Sequence, residues 1–135
     1  MNYQTLIAAL CAWREARGEG QEGVRAVLWV LYNRSVKWNK SLTQVVIQPK
    51  QFSSMTVKGD SQTVVWPLDS DQPFQQALAM MQAIIDKTDT SDPTDGALYY
   101  ANLAANVDSW FMQNIVGSPK WHAHTAKIGK HDFYL

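Results

Sequence analysis

The stretch Trp13-Arg14-Glu15-Ala16-Arg17-Gly18-Glu19-Gly20-Gln21-Glu22-Gly23 decides the fold, because a glycine-rich turn here separates two apolar helical patterns. Before the turn, apolar residues recur at helical spacing and predict an amphipathic helix over residues 3–17. After it, residues 21–38 predict a second helix that is apolar over much of its circumference, as is typical of a helix at the centre of a domain. We expect the two helices to pack together and to hold the turn in place.

Two carboxylates, Glu15 and Glu19, accompany this turn, and on a continuous helix they would lie about 40° apart. Glu15 falls at the edge of the expected apolar stripe, where burial begins. Burial raises the pKa of a carboxyl group, and a general acid working near neutral pH needs such a raised pKa. The alternative for Glu15 is a surface carboxylate paired with a neighbouring arginine. The expected stripe consists of Tyr3, Leu6, Ile7 and Leu10.

The whole chain, residues 1–135, is expected to form a single domain, because 135 residues with 46% apolar content suffice for one core. The predicted fold class is α+β, mainly α, with a small β element. Besides the first two helices, the patterns predict a short helix over 42–48, a β-hairpin or two short strands within 55–66, a helix capped by Ser70 or Asp71 with Pro73 in its first turn, a strand or extended loop over 96–102, and a helix over 106–116.

Charge and cysteine content exclude several classes of protein. The formal net charge is zero, which argues against a nucleic-acid binder, since such proteins carry a basic surface. The single cysteine, Cys11, excludes an intrachain disulfide and is expected to be a buried thiol on the first helix. No signal peptide is visible, and no run of residues is long and apolar enough to span a membrane. Without a visible signal peptide, we expect synthesis in the cytoplasm. A small domain without net charge is also expected to be a monomer.

Four sequence blocks occur in the order found in one known family. The first is Glu-Ala-Arg-Gly-Glu at 15–19, followed at 22–34 by Glu-Gly-Val-x-Ala-Val-x-x-Val-Leu-Tyr-Asn-Arg. The others are Gln-Phe-Ser at 51–53, Asp-Pro-Thr-x-Gly-Ala-x-x-Tyr-x-Asn at 92–102 and Ile-Gly-x-His-x-Phe-Tyr at 128–134. Together they cover nearly the whole chain, which resembles the SleB/CwlJ-type cell wall hydrolases, the spore-cortex-lytic family.

The resemblance implies a compact lysozyme-like fold, related to lytic transglycosylases and to goose-type lysozymes. It also implies cleavage of the glycan strand of peptidoglycan, with Glu15 as the general acid and base and with no metal or cofactor. The chain departs from the family at Ala101, at Leu103 and throughout 54–69, which affects the shape of the groove more than the acid. The remaining residues implied by the motifs, all candidates for lining the groove, are Glu19, Gln51, Phe52, Ser53, Tyr99, Tyr100, Asn102 and His131.

The chain differs from the spore enzymes in showing neither a signal peptide nor a separate wall-binding repeat. In this respect it resembles a phage or prophage lysis protein, or endolysin. Such a protein depends on a holin, or on another export route, to reach the cell wall after its synthesis. We therefore expect the partner to be the peptidoglycan glycan strand, encountered after release from the cytoplasm.

The resemblance leaves the reaction and several roles open. One carboxylic acid suffices for a lytic transglycosylase, whereas a hydrolase uses a second carboxylate, for which Glu19 is the nearby candidate. Glu19 is otherwise a structural carboxylate that accepts from backbone N–H groups at the start of the second helix. Of Tyr99 and Tyr100, an extended strand would turn one inward and one to the groove. His131 either contacts substrate, supports Glu15 or is an ordinary structural histidine.

Two other functions compete with glycan cleavage. The pattern His122-x-His124 with His131 and Asp132 suggests zinc and a metal-dependent peptidoglycan amidase, although its spacing matches no common zinc motif. The 15 aromatic residues, six of them tryptophan, also suit a non-enzymatic module that stacks on sugar rings. The presence of Glu15 favours an enzyme over such a module.

Overall fold

The computed structural model describes residues 2–49, 51–105 and 107–135. They form a mainly helical fold with one small antiparallel sheet, which confirms the predicted class. None of the described helices is both long enough and apolar enough to cross a lipid bilayer. The helices are α1 (Tyr3–Ala16), α2 (Gly20–Trp38), α3 (Leu42–Val46), α4 (Ser53–Thr56), α5 (Gln72–Ile85) and α6 (Ser109–Phe111), and the strands are β1 (Tyr99–Ala101), β2 (His124–Ile128) and β3 (His131–Tyr134).

Helix α1 packs against α2, α3 and α5 through its small residues. The expected stripe was wrong at its start, because Tyr3 is 64% exposed and Leu6 is 42% exposed. Small side chains let neighbouring helices approach α1 closely, so the buried face follows them rather than the larger residues. Cys11 is fully buried among them, as expected. The fully buried small residues of α1 are Ala8, Ala9, Cys11 and Ala12.

Helix α5 starts where the sequence predicts. The Asp71 carboxylate accepts the Phe74 backbone N–H at 2.9 Å, and Pro73 occupies the first turn, where its missing N–H costs nothing. The same Asp71 oxygen accepts the Trp13 indole N–H at 3.0 Å. One carboxylate therefore begins α5 and also joins it to α1.

Replacing Asp71 by Ala should destabilise the protein by about 2 kcal/mol, since it removes a helix cap and leaves the Trp13 N–H without its acceptor. Urea unfolding followed by tryptophan fluorescence measures the effect. The control is Asp69→Ala, because the Asp69 side chain is exposed and only its backbone carbonyl accepts, from Gln75. Equal stability of the two variants would contradict the double role of Asp71.

The β-hairpin predicted within residues 55–66 was wrong. This region contains α4 and a 3₁₀ turn over Ser61–Val64, which the Asp60 carboxylate caps by accepting the Gln62 N–H at 2.8 Å. The buried guanidinium of Arg14 donates to the carbonyls of Ser54, Thr63 and Val65 at 3.0–3.3 Å. Because Arg14 already uses these carbonyls, they are not available for pairing as strands.

The β element lies later in the chain. Strand β3 is the middle strand of the order β1-β3-β2, and it pairs antiparallel with both neighbours. Phe133 in β3 is fully buried and faces Tyr100 in β1. The strand predicted within 96–102 is thus confirmed, whereas β2 and β3 were not predicted.

The helix predicted over 106–116 is formed in part. Asn106 lies outside the described residues, and α6 begins after Asp108, whose carboxylate accepts the Phe111 N–H at 2.9 Å. A wide π-type turn over Met112–Val116 then continues to Gly117. This segment brings Asp108 and its neighbours to the opening described next.

Candidate active site

A cleft of about 570 Å³ opens beside the end of α1. Helix α1 contributes Glu15 to it and α2 contributes Arg34, so the two helices joined by the glycine-rich turn meet there. The segment before α4, strand β1 and the region of α6 complete the walls. The remaining lining residues are Gln51, Phe52, Tyr99, Tyr100, Asp108, Trp110 and Phe111.

The Glu15 carboxyl lines this cleft and is partly removed from water. Burial raises its pKa from 4.5 to about 7, and the negative charge of Asp60 adds to the rise. The Ser54 hydroxyl lowers the Glu15 pKa and so offsets part of this rise. Among the described residues, this hydroxyl has no partner that meets ordinary hydrogen-bond geometry. Glu15 therefore exchanges its proton near neutral pH while facing an open cleft.

Both tyrosines of β1 reach the cleft, so the expectation that only one would do so was wrong. Tyr100 approaches from the core, where its ring stacks on Phe133 with centroids 5.7 Å apart. Tyr99 approaches from the rim, where its ring lies 6.3 Å from that of Trp38. Strand β1 is a three-residue edge strand whose residues are all half-buried, and both rings line the cleft.

Burial also shifts the phenol of Tyr100. Its pKa is raised well above 10, first by desolvation and then by the charges of Glu15 and Cys11, while Arg34 opposes the shift. The phenol therefore stays protonated at neutral pH. Glu15, Arg34 and Tyr100 all line the same cleft.

Arg34 belongs to the first motif block but was not singled out as a site residue, and an arginine is by type most often exposed. The structure instead buries it, with only 5% of its surface exposed. Its Nε donates to the Leu98 carbonyl at 2.6 Å, and burial lowers its pKa. The guanidinium carbon also lies 5.2–5.6 Å from the ring centroids of Phe52, Trp38 and Tyr99.

Glu19 does not line the cleft. Its carboxylate accepts the Lys130 backbone N–H at 3.3 Å, in the turn between β2 and β3. A Cβ atom on Gly129, whose φ is +59°, would lie 2.6 Å from a carboxylate oxygen of Glu19. Glu19 therefore accepts a bond from a backbone N–H group, as expected for a structural carboxylate. The N–H group lies in the turn between β2 and β3 rather than at the start of α2, where the Glu19 side chain makes no capping bond.

Three further residues taken from the motifs lie outside the cleft lining. Ser53 begins α4, where its hydroxyl helps lower the pKa of the Asp60 carboxyl. The Asn102 side chain accepts the Ala104 N–H at 3.1 Å. The His131 ring packs edge-on against Tyr100 with centroids 5.1 Å apart, and burial lowers its pKa. By contrast, Gln51 and Phe52 line the cleft together with both tyrosines.

The residues of α6 were missed because only their helical pattern was considered. An aspartate before a helix is typical of an N-cap, so the residue type of Asp108 does not indicate that it also lines a cleft. Trp110 is 59% exposed, so it presents an uncovered aromatic surface there. A tryptophan on a short polar helix was the one signal of this in the sequence.

The histidines of the suggested zinc site are otherwise engaged. His122 Nδ1 donates to the Leu135 carbonyl at 2.6 Å, and His124 Nε2 hydrogen-bonds Asp132 at 2.9 Å. His131 lies against Tyr100. Across ranges 2–49, 51–105 and 107–135, no three His, Cys, Asp or Glu side chains come together as a metal site would require.

Comparison with known sequences identifies related proteins. The profile of the family described as Cell Wall Hydrolase matches residues 18–134. The chain is 29% identical over 134 residues to the spore cortex-lytic enzyme of Bacillus subtilis strain 168, covering 98% of this chain and 37% of that protein. It is also 29% identical over 129 residues to the spore cortex-lytic enzyme of Oceanobacillus iheyensis, covering 94% of this chain and 40% of that protein. The chain thus spans about two fifths of the length of these relatives.

Comparison with solved structures gives the same result for the fold. The catalytic domain of the germination-specific lytic transglycosylase SleB from Bacillus anthracis superposes with a TM-score of 0.72 at 25% identity, covering 100% of this chain and 97% of that one. The catalytic domain of the Bacillus cereus SleB protein gives a TM-score of 0.70 at 26% identity, covering 98% and 89%. The fold is therefore the lysozyme-like one that the resemblance implied, and the chain belongs to the cell wall hydrolase family.

Proposed function

We propose that the chain cleaves the glycan strand of peptidoglycan between N-acetylmuramic acid and N-acetylglucosamine, as a lytic transglycosylase with Glu15 as its one acid and base. The observation that carries the proposal is a carboxyl group with a pKa of about 7 that lines an open cleft. The similarity to a domain described as a lytic transglycosylase supports the reaction type.

The reaction needs one group that both donates and accepts a proton. Protonated Glu15 gives its proton to the glycosidic oxygen as the bond from that oxygen to C1 of the muramoyl residue breaks, leaving an oxocarbenium-like centre. The 6-hydroxyl of the same muramoyl residue then attacks C1 and returns its proton to the Glu15 carboxylate. The product is a 1,6-anhydro sugar, no water is consumed, and the acid is regenerated.

A raised pKa suits both halves of this cycle. At neutral pH a carboxyl group with a pKa of about 7 is divided between its two forms, so both donor and acceptor are populated. Tyr100 stays neutral beside it and adds no competing charge. The exposed ring of Trp110 and the ring of Phe111 offer flat apolar surfaces for sugar faces at the same cleft.

A hydrolase is the second candidate, and one observation favours it. The cleft contains another carboxylate, and it is Asp108 rather than Glu19. One Asp108 oxygen caps α6 through the Phe111 N–H, which holds the side chain at the cleft. In a hydrolase, Asp108 would activate water or attack the sugar while Glu15 donates the proton.

Mass spectrometry of the fragments released from purified peptidoglycan separates the two reactions. We expect wild type to release fragments with anhydro-muramic ends, and Asp108→Asn to release the same fragments at a rate within about tenfold of wild type, because a non-catalytic carboxylate only contributes to binding. The control is Asp69→Asn, which changes an exposed carboxylate distant in sequence from the lining residues.

Reducing sugar ends from wild type, lost in Asp108→Asn but retained in Asp69→Asn, would replace the transglycosylase by a hydrolase with two carboxylates. Cleaved stem peptides with intact glycan would overturn both readings and return attention to an amidase. Binding to peptidoglycan without released fragments would indicate a glycan-binding module.

A further inference from the structure

Arg34 is a buried cation whose charge is not paired with a carboxylate within the described residues. Its Nε donates a hydrogen bond to the Leu98 carbonyl. Its Nη1 is shielded from solvent and has no hydrogen-bond partner among those residues. Taking a charge out of water is costly unless an opposite charge or hydrogen bonds replace the lost hydration. A buried arginine in this state is suited to bind a partner that the described residues do not supply.

The surroundings keep the guanidinium in place without neutralising it. The rings of Phe52, Trp38 and Tyr99 lie around it at cation–π distances, and they restrict its rotation. Phe52, Tyr99 and Arg34 all line the cleft that contains Glu15. A planar cation held by aromatic rings at the wall of a substrate cleft is suited to bind a carboxylate, because its N–H groups match the two oxygens.

The other charges at the cleft have partners or other roles. Asp108 is engaged in capping α6, and Glu15 exchanges its proton near neutral pH. Arg34 therefore provides the cleft's fixed positive charge among the described lining residues. Arg34 and Glu15 line the same cleft, so a ligand that pairs with the cation occupies the cleft that contains the acid.

We propose that Arg34 binds a carboxylate carried by the muramoyl residue of the glycan strand, and that the cleft thereby selects muramoyl-containing glycans over neutral ones. This inference rests on the proposed function. N-acetylmuramic acid carries a lactyl group, whose carboxyl group is either free or joined to a stem peptide with carboxylates of its own. The neighbouring N-acetylglucosamine carries no acidic group, so pairing with Arg34 would also fix the register of the strand against Glu15.

The test is calorimetric binding with the Glu15→Gln protein, which keeps the ligands intact. The first ligand is a peptide-free tetrasaccharide of alternating N-acetylglucosamine and N-acetylmuramic acid, and the second is the same molecule with its lactyl carboxyl groups converted to carboxamides. We expect the carboxylate form to bind about tenfold or more tightly, as a charge-assisted pair would give. Equal affinity for these two forms would exclude the lactyl carboxylate as the partner of Arg34.

A second pair of ligands separates the two sources of carboxylate. It consists of the tetrasaccharide with stem peptides, whose lactyl groups are amides, and its fully amidated form. If the discrimination appears only in this pair, Arg34 pairs with a stem-peptide carboxylate; if it appears in the first pair, the partner is the lactyl group. Loss of discrimination in both pairs contradicts the proposal.

Variants then assign the discrimination to Arg34. In Arg34→Met the ratio of the two affinities should fall to about one, and Arg34→Lys should retain part of it, because a lysine keeps the charge and loses the fork of N–H groups. Lys37→Met is the matched control, since it removes an exposed cation one turn along the same helix and should leave the ratio unchanged. If Lys37→Met abolishes the ratio as well, general charge attraction explains it and Arg34 is not the site.

Failure of this inference and failure of the proposed function give different results. Wild type that releases anhydro-muramic fragments, together with equal binding of carboxylate and carboxamide, leaves the function intact and removes only the role of Arg34. Wild type that leaves the glycan uncut removes the proposed function itself. If the Arg34 variants do not fold, the ligand pairs and Lys37→Met decide the question together, because a ratio retained in Lys37→Met leaves Arg34 as the cation among the described lining residues.

Discussion

Glu15→Gln is expected to lower the rate of fragment release from purified peptidoglycan by a factor of about 10² to 10⁴, the usual contribution of a general acid and base. Glutamine preserves the size and most of the polar contacts of the side chain, but its amide does not give up a proton to a glycosidic oxygen. The pH dependence supplies a second readout. In wild type, kcat/KM should decline as pH rises above about 7, because the Glu15 carboxyl then loses its proton.

The matched control is Glu22→Gln, which neutralises a carboxylate in the first turn of α2. Its side chain is 70% exposed and lies 3.7 Å from Arg25, so the change should leave the rate nearly as in wild type. A Glu15→Gln rate within threefold of the control would remove Glu15 as the acid. A wild-type profile that stays flat from pH 6 to 9 would contradict the raised pKa.

The same substitution should stabilise the protein at high pH. The Glu15 pKa is raised from 4.5 to about 7 in the folded protein, so between these values the folded state holds a proton that the unfolded chain has released. Stability therefore falls as pH rises through this window, by about 3 kcal/mol in total for a shift of this size. Below pH 4.5 the carboxyl group is neutral in both states and carries no such cost.

Urea unfolding of wild type, Glu15→Gln and Glu22→Gln at pH 4.5, 6 and 8 tests this linkage. We expect Glu15→Gln to gain up to about 3 kcal/mol over wild type at pH 8 and to lose that advantage at pH 4.5. Glu22→Gln should differ little from wild type at each pH. A gain that is independent of pH would mean that glutamine simply packs better, and that the buried charge is not its cause.

The parts of the fold that the sequence predicted are those determined by neighbouring residues. The glycine-rich turn after Glu15 separates α1 from α2, and Asp71 with Pro73 marks the start of α5. In each case the deciding contacts span a few residues. Glu15 belongs to this class too, because its position at the end of α1 follows from the helix that carries it.

Contacts between distant parts of the chain explain what the sequence did not predict. Arg14 takes the carbonyls of Ser54, Thr63 and Val65, so a segment rich in β-branched residues forms turns instead of strands. Nothing near Arg14 in the sequence indicates these partners.

The site shows the same division. The environment of Arg34 is formed by aromatic rings from distant segments of the chain, among them Phe52 and Tyr99. Asp108 reaches the cleft because the folded chain brings it to the same opening as Glu15 and the two tyrosines of β1. The motif residues Ser53 and Asn102 instead lie outside the cleft lining. The Ser53 hydroxyl acts on the Asp60 carboxyl, and the Asn102 side chain accepts the Ala104 N–H.

The central position of β3 has a consequence for the order in which the enzyme is made. Among the described residues, β1 and β2 each pair only with β3, so neither has its partner in the sheet until residues 131–134 have been synthesised. Tyr100 then lacks Phe133, and the wall of the cleft beside Glu15 is incomplete. A nascent chain can therefore fold its helices early, as local contacts allow, while its cleft remains unfinished. The strand order thus delays completion of the cleft that contains Glu15 until translation has passed β3.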